Sequence, residues 1–379
     1  MSNIFTLAYG TLFASVNEIS KEIIGMVPSV GMNLSAARAG LNRPITINVS
    51  TKATGRDNVP SMTTQTPTDL VTEAVQVSLT KDRMVFFAIT GEEAVALDSG
   101  ATVSATLQAN VTEALRELLN EMELDLLTEG YLNACRAYGV PGTTPFATGV
   151  KDTAQVGKIL KDNGAPMAGK QLVLNTESGA NALENTSLTK VNESGDSDLL
   201  RLGTFSQPVH GFTVRETGQA VVHTPGTGAG YLVNNGAGYA KGTTAIAVDT
   251  GTGTIIPGDI VVISGDQNKY VVKSFAGSVI TINNPGLMKP IIDGATVTLS
   301  AEYEVNLGFT RNAIQLITRL PEQAPGGDAR TGEIVITDER SNIAFEFSEW
   351  KGDGVTGYRV QILWGVKAIK PEHIAMLVG

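Results

Sequence analysis

Apolar residues first recur at helical spacing near the start of the chain. A short amphipathic helix is predicted over residues 12–24 by the positions Leu12, Val16, Ile19 and Ile23. Pro28 follows soon afterwards, as is usual beyond a helix end. The pattern fits ordinary core packing and also fits an arm that packs on a neighbouring subunit.

A second and much longer helix is predicted from about Ala101 to Ala137. Its apolar face carries Leu107, Val111, Leu115, Leu118, Met122 and Leu126. At 1.5 Å per residue it would be roughly 55 Å long, which suits a helix that braces an extended structure. Glu113, Glu117 and Glu121 form an acidic line on it. That line is either a solvated face or an acidic strip that meets basic groups on a neighbour.

Alternating apolar residues between the two helices predict a long hairpin. Ile45, Ile47 and Val49 form one run, and a second run comprises Val71, Val75, Val77 and Leu79. The polar stretch from Thr51 to Asp69 between them holds Lys52, Arg56 and Asp57. A loop of about 20 residues is unusual inside a compact domain. We expect it to be the tip of a hairpin that rests on another chain, with a flexible surface loop as the alternative. Residues 84–89 predict a buried strand.

An α/β region is predicted next. Asp152 or Thr153 can cap a helix that runs through Leu160, and Gly164 is its expected C-terminal stop. Short strands follow at Gln171–Asn175 and Phe212–Arg215, with mixed helix and loop over 177–204.

The composition changes at about Thr224, and up to Ser300 the chain is rich in Gly, Thr, Val and Ile. Short strands separated by turn signals are predicted at 245–248, 260–263, 270–272, 279–282 and 297–299. This spacing is typical of a small β-barrel or sandwich, and we interpret it as a separate domain inserted into a larger α/β fold. Closing strands are predicted at 313–317, 334–337, 345–350 and 358–364.

Composition adds limits on environment and partners. The chain has 379 residues, 42% of them hydrophobic and 17% charged, which is enough to bury a core of two or three packed units. Its net charge of −10 gives no overall attraction to nucleic acid. Cys135 is the only cysteine, so no disulfide can form within the chain, as fits a reducing cytosol. No signal peptide and no run of about 18 apolar residues is present, so no membrane partner is expected.

Candidate chemistry is sparse. Residues 164–170 match the first seven positions of a phosphate loop, but the eighth is Gln171, and a helix precedes the loop instead of following it. The three histidines His210, His223 and His373 have no metal-ligand spacing. We therefore predict no catalytic residues, no metal, no cofactor and no small-molecule substrate. This favours an architectural role over an enzyme.

The order of several local stretches along the chain is informative. They are 162–166 with 172–175, His210-Gly-Phe212, Phe309-Thr-Arg-Asn-Ala313, and 363–368 followed by Pro371-Glu372. With the arm, hairpin, long helix and β-rich insertion, the chain resembles the Hong Kong 97-type major capsid proteins of tailed bacteriophages. More narrowly, it resembles the branch of the Salmonella short-tailed phage coat protein, which carries an inserted β-barrel domain.

The resemblance implies an α+β fold and a role for each part. These parts are an N-terminal arm (1–43), an extended loop hairpin (44–80), a peripheral domain with a spine helix (81–140), a first axial part (141–223), an inserted β-barrel (224–303) and closing axial and peripheral strands (304–379). The chain would self-assemble into hexamers and pentamers of an icosahedral shell around double-stranded DNA, with weak DNA contact. Scaffolding protein and portal are the implied partners, and the virion, assembled in host cytoplasm, is the implied location.

The residues expected to form subunit contacts are Lys52, Arg56, Asp57, Glu113, Glu117 and Glu121. Three other functions stay open from the sequence: a cargo-enclosing nanocompartment shell of the same fold, a β-rich bacterial surface or adhesion module, and a hydrolase whose insertion binds polysaccharide. The lack of an export signal and the long helix count against the adhesion module, and the hydrolase would need an acidic pair in a cleft.

Overall fold

A computed structural model gives the structure of the chain. It describes residues 24–50, 55, 57–60, 62, 72–92, 102–147, 149–190, 198–205, 207–337 and 343–379. Residues 12–23 of the predicted helix over 12–24, and most of the polar stretch from Thr51 to Asp69, lie outside these residues.

The described helices alternate with many strands. The α-helices are α1 (Thr102–Leu132), α2 (Lys151–Asp162), α3 (Thr176–Glu184), α4 (Thr186–Thr189) and α5 (Asp198–Leu202), and 3-10 turns lie at Val27–Ser29, Arg311–Ala313 and Pro371–His373. The strands before residue 250 are β1 (Gly31–Ala39), β2 (Pro44–Ser50), β3 (Thr72–Ser78), β4 (Lys81–Thr90), β5 (Arg136–Gly139), β6 (Lys170–Asn175), β7 (Phe212–Thr217), β8 (Val222–His223), β9 (Tyr231–Val233) and β10 (Ala245–Asp249). The later strands are β11 (Ile260–Ile263), β12 (Lys269–Ala276), β13 (Val279–Ile282), β14 (Thr296–Leu299), β15 (Tyr303–Thr310), β16 (Ile314–Pro321), β17 (Arg330–Thr337), β18 (Ala344–Lys351), β19 (Val355–Ala368) and β20 (Ile374–Val378).

Helix α1 has 31 residues, so it is about 47 Å long and lies along a six-stranded sheet. Its predicted apolar face is buried from Val111 to Leu126, in a core cluster that also contains Phe347 and Trp364 of that sheet. The side chain of Leu107 lies outside the described part of the structure. Gly130 lets the helix approach β15, because a Cβ there would lie 2.5 Å from Leu307.

The predicted end of this helix at Ala137 is wrong, since the helix stops at Leu132. The side chain of Asn133 donates to the Glu129 carbonyl at 2.9 Å, and the chain then enters β5. Strand β5 pairs with β20 on one side and β12 on the other. Sheet pairing therefore overrides the helical pattern of the last five predicted residues.

Strands β2 and β3 pair antiparallel as the predicted hairpin. Their register runs from Pro44 opposite Ser78 to Ser50 opposite Thr72, and together they form a two-stranded sheet. Val77 and the following Leu79 are buried at the base of the hairpin, where they pack with Ile317. The base is thus fixed to the body of the chain, while its side chains farther out are half-buried or exposed.

The prediction of a buried strand over 84–89 is wrong. Strand β4 pairs along one side with β19 and exposes every second side chain. Val85 and Phe87 pack toward the core, whereas Met84 and Phe86 are 57% and 53% exposed. The reason is that α1 covers only one face of this sheet.

The axial part is built on the strand order β5-β20-β15-β6-β7. Helix α2 packs against β5 and β20. It begins at Lys151 after Val150 without a side-chain cap, so the predicted cap at Asp152 or Thr153 is wrong. Asp152 instead accepts a hydrogen bond from the Phe146 amide at 2.7 Å. Gly164, with φ of 77°, ends the helix as predicted.

All five strands predicted between 245 and 299 are present, and β9 joins them. The antiparallel pairings run β11-β14-β9-β10-β13-β12, and β12 also pairs with β11, so the six strands close into a small barrel. Its apolar interior forms a core cluster of its own. Strand β12 also pairs with β5, which joins the barrel to the axial sheet, and its separation as an inserted domain stays a prediction.

Candidate functional site

The acidic residues at the C-terminal half of α1 are paired within their own chain. Glu121 accepts two hydrogen bonds from the Arg83 guanidinium, at 2.6 and 2.5 Å. The hydrogen bond from Arg83 lowers the pKa of Glu121. One turn later, Asp125 lies 2.6 Å from the Lys81 ammonium and also accepts from the indole of Trp364 at 2.9 Å. These pairs hold β4 against the helix.

The N-terminal half of the acidic line is exposed. The Glu113 side chain is 71% exposed and lies 3.8 Å from Arg116, and Glu117 is exposed as well. The predicted line is therefore divided into an inner half bound to β4 and an outer half that faces solvent. Of the other predicted contact residues, Asp57 is exposed, and Lys52 and Arg56 lie outside the described residues. Whether any of the six touches another subunit stays a prediction.

A buried carboxylate on the same helix escaped the sequence analysis. Glu123 is 2% exposed and accepts hydrogen bonds from the backbone amides of Gly25, Met26 and Val27 at 2.8, 2.6 and 2.9 Å. The Thr217 side chain also bonds to this carboxylate. Glu123 thus ties the chain entering the first 3-10 turn to α1 and to the end of β7.

Burial raises the pKa of Glu123, and the hydrogen bonds from the amides only partly offset this effect. The nearby Ser29 hydroxyl donates to the Gly25 carbonyl at 2.6 Å and accepts from Arg215 at 3.1 Å, which fixes the same segment from its other side. A signal was present in the sequence: Glu123 lies four residues after Leu119 and three before Leu126, on the buried stripe of the helix.

The exposed hairpin borders an open cleft of about 580 Å³. Ile47 and Val49 of β2 line it, and so do Arg311, Lys370 and His373. Burial lowers the pKa of His373, and the Lys370 charge lowers it further, although Glu372 acts in the other direction.

Polar side chains join the barrel to the rest of the molecule. His223 Nε2 and Asp259 Oδ1 lie 2.9 Å apart and buried, and the His223 ring packs 5.1 Å from Tyr303. At the end of α1, the Asn283 amide donates to the carbonyls of Leu132 and Ala134, both at 2.9 Å. The barrel therefore satisfies backbone groups at the end of the long helix, which fixes its position on the body.

An ionic cluster covers the sheet face opposite α1. The side chain of Glu346 is 0% exposed and binds Arg38 at 2.6 Å and Arg330 at 2.7 Å. Trp350 stacks under Arg359, with 4.6 Å between the guanidinium and the ring centre. Buried charges need this kind of pairing, so the cluster has a structural explanation.

The phosphate-loop-like segment is a helix-to-strand turn, as its sequence context predicts. It connects α2 to β6, and Lys170 is 2% exposed with its ammonium 5.7 Å from the centre of the Phe212 ring. Cys135 is also buried, and burial raises the pKa of its thiol to about 11. Neither side chain is placed to react with a substrate in solvent.

Within the part of the chain that the structure describes, no group of three or more His, Cys, Asp or Glu side chains is arranged to hold a metal ion. The helices described there include none with the length and apolar character needed to cross a membrane.

No family model matches this sequence, and no curated protein matches it. Solved structures show weak similarity over most of the chain. A structure from Mycobacterium phage Che8 is 11% identical, covering 89% of this chain and 84% of that one, with a TM-score of 0.46. The capsid structure of cyanophage P-SCSP1u is 8% identical, with coverages of 92% and 86% and a TM-score of 0.47. The mature capsid of bacteriophage PhiM1 is 9% identical, with coverages of 93% and 86% and a TM-score of 0.46. At these low values the similarities carry no argument about this chain.

Proposed function

We propose that this chain is a major capsid protein that self-assembles into the shell of a tailed bacteriophage. The observation that carries the proposal is the β2–β3 hairpin. It is a ribbon of two strands that pair with each other and with no further strand among the described residues. An isolated two-stranded ribbon is marginally stable in water. Ile45 and Ile47 pack partly against the body of their own chain, and a neighbouring subunit could cover the apolar surface that stays accessible.

The two faces of the ribbon differ in the way that docking requires. Ile47 lies opposite Val75 on one face, next to the pair of Ile45 and Val77 at the base. Ile45, Ile47 and Val75 are only half-buried. The other face carries polar residues such as Thr46, which is exposed. An apolar face that its own chain covers only in part suits a contact with a neighbouring subunit.

The clamp at Glu123 supports the same function. It fixes the chain at residues 25–27 against α1. An arm and a hairpin that overlap neighbours add contact area without a larger core, and heterologous contacts of this kind close into shells by symmetry.

The finer parts of the proposal follow from the sequence resemblance. The chain would form hexamers and pentamers, assemble in host cytoplasm with a scaffolding protein and a portal, and enclose double-stranded DNA with weak contact. The barrel would be the inserted domain of the Salmonella short-tailed phage branch. Lys52, Arg56, Asp57, Glu113, Glu117 and Glu121 would lie at subunit contacts, and the chain would have no enzymatic activity.

The test is assembly by the purified chain, alone and with a scaffolding partner, measured by light scattering and electron microscopy. The variant Ile47→Asp places a charge on the apolar face of the ribbon, and Thr46→Asp places the same charge on the polar face. Ile47→Asp should abolish assembly while Thr46→Asp assembles as the unchanged chain does. Thermal unfolding of both variants shows whether the body is folded. Equal assembly by both would contradict the role of the hairpin.

A further inference from the structure

The cleft beside the hairpin has an unusual charge for this chain. Arg311, Lys370 and His373 line it, and no acidic residue is among its described lining residues, although Glu372 lies close to His373. The whole chain has a net charge of −10. The overall composition of so acidic a chain does not account for a cleft that is lined by basic groups.

Further basic residues lie near this cleft, on the adjacent strands of the axial sheet. Desolvation lowers the pKa of Arg215, and the charge of Arg311 lowers it further. Burial also lowers the pKa of Lys170, and the charge of Lys161 lowers it further. Lys170 and Arg215 lie on the adjacent strands β6 and β7, and the Arg311 amide bonds to Gly169, next to Lys170. Positive charge is therefore concentrated at this end of the axial sheet.

We propose that the cleft receives the outer acidic half of helix α1, Glu113 and Glu117, from a second copy of this chain. The inference rests on the proposed shell function and names the surfaces that meet in it. Glu113 and Glu117 qualify because both are exposed, although Glu113 lies 3.8 Å from Arg116 of its own chain. Glu121 and Asp125 of the same helix are bound more closely to Arg83 and Lys81, at 2.5 and 2.6 Å.

The dimensions suit this partner. Side chains four residues apart on a helix have Cβ atoms roughly 6 Å apart, so two carboxylates can enter one cleft together. The cleft has a volume of about 580 Å³, and Ile47 and Val49 of the hairpin line it. These two apolar side chains belong to the hairpin, so the same contact would cover the exposed ribbon.

The experiment is a charge exchange followed by assembly at low and high salt. The first double variant, Glu113→Lys with Glu117→Lys, reverses the charge of the helix. At low salt it should raise the protein concentration needed for assembly at least about tenfold. The second double variant, Arg311→Glu with Lys370→Glu, reverses the charge of the cleft and should have the same effect. Combining all four changes should restore assembly to within about threefold of the unchanged chain. Lys241→Glu with Lys289→Glu, two exposed barrel lysines, is the matched control and should have little effect.

The outcomes separate the two proposals. If the unchanged chain never assembles, the shell function fails. If it assembles and the acidic variant behaves like the barrel control, or the four changes together do not restore assembly, the cleft contact is wrong. If the cleft variant with Arg311→Glu and Lys370→Glu does not fold, the variant with Arg311→Gln and Lys370→Gln is used in its place. A short DNA duplex is the remaining probe: if the cleft changes lower DNA binding and leave assembly unchanged, the cleft binds phosphate and the proposal is overturned.

Discussion

The carboxylate of Glu123 lies 2.6 Å from the backbone nitrogen of Met26, although 97 positions separate the two residues in the chain. This contact joins the start of the described chain to the middle of the long helix. It is the best-satisfied buried carboxylate on that helix, with three backbone amides donating to it.

Replacing Glu123 should destabilise the fold. Glu123→Gln keeps an oxygen for the amides of Gly25 and Met26 but turns its own amide group toward the Val27 donor, so we expect a loss of about 1–3 kcal/mol. Glu123→Ala leaves all three donors unpaired and should cost more. Glu113→Gln is the exposed control and should change stability by less than about 0.5 kcal/mol. Urea unfolding of unassembled protein measures all three.

The stability contributed by Glu123 should depend on pH in a defined direction. Because burial raises the pKa of Glu123 in the folded state above its usual value of about 4.3, the folded chain binds the proton more tightly than the unfolded chain. The contribution is then fully present below about pH 4.3 and is lost as the pH rises through the raised value. The stability difference between the unchanged chain and Glu123→Gln should therefore shrink as pH rises. A difference that grows with pH would contradict this assignment.

The two acidic residues that face β4, Glu121 and Asp125, should differ in how much they contribute to the stability of the fold. Glu121→Gln removes a partner of an exposed arginine, and such pairs contribute little to stability, so the unfolding midpoint should hardly move. Asp125→Ala leaves the indole of buried Trp364 without its acceptor and should cost about 1–3 kcal/mol. Thermal unfolding of the two variants checks the order. A larger loss for Glu121→Gln would show that the Arg83 pair is the stronger link.

The base of the hairpin depends on Gly365. A Cβ at this position would lie 2.2 Å from the Ser78 carbonyl oxygen at the end of β3, so Gly365→Ala should push the hairpin base away from β19 and cost about 1–3 kcal/mol. Gly352→Ala is the control, because its Cβ would come no closer than 3.7 Å to the Val355 carbonyl. Hydrogen exchange over 72–78 should become faster in Gly365→Ala alone.

Periodic patterns predicted much of this fold. The strands between 245 and 299 were found because each is short, apolar and bounded by turn residues, and their closure into a barrel agrees with the small-barrel prediction. The hairpin pairing of β2 with β3 and the buried stripe of α1 follow from alternation and helical spacing in the same way.

Other features depend on contacts between distant residues. Strand β5 lies within the predicted end of the long helix, and only its pairing with β20 and β12 makes it a strand. The half-exposure of β4 depends on which sheet face α1 covers. The partners of Glu121 and Glu123 lie 38 or more positions away, so spacing along the helix could not identify them.

The most direct measurement of the central claim is the mass of the particles that the purified 39.8 kDa chain forms, by sedimentation velocity together with electron microscopy. The shell function predicts capsomers or closed megadalton particles, produced by the chain alone or with a scaffolding partner. A folded protein that stays monomeric in every condition, with Ile47→Asp indistinguishable from the unchanged chain, would contradict it.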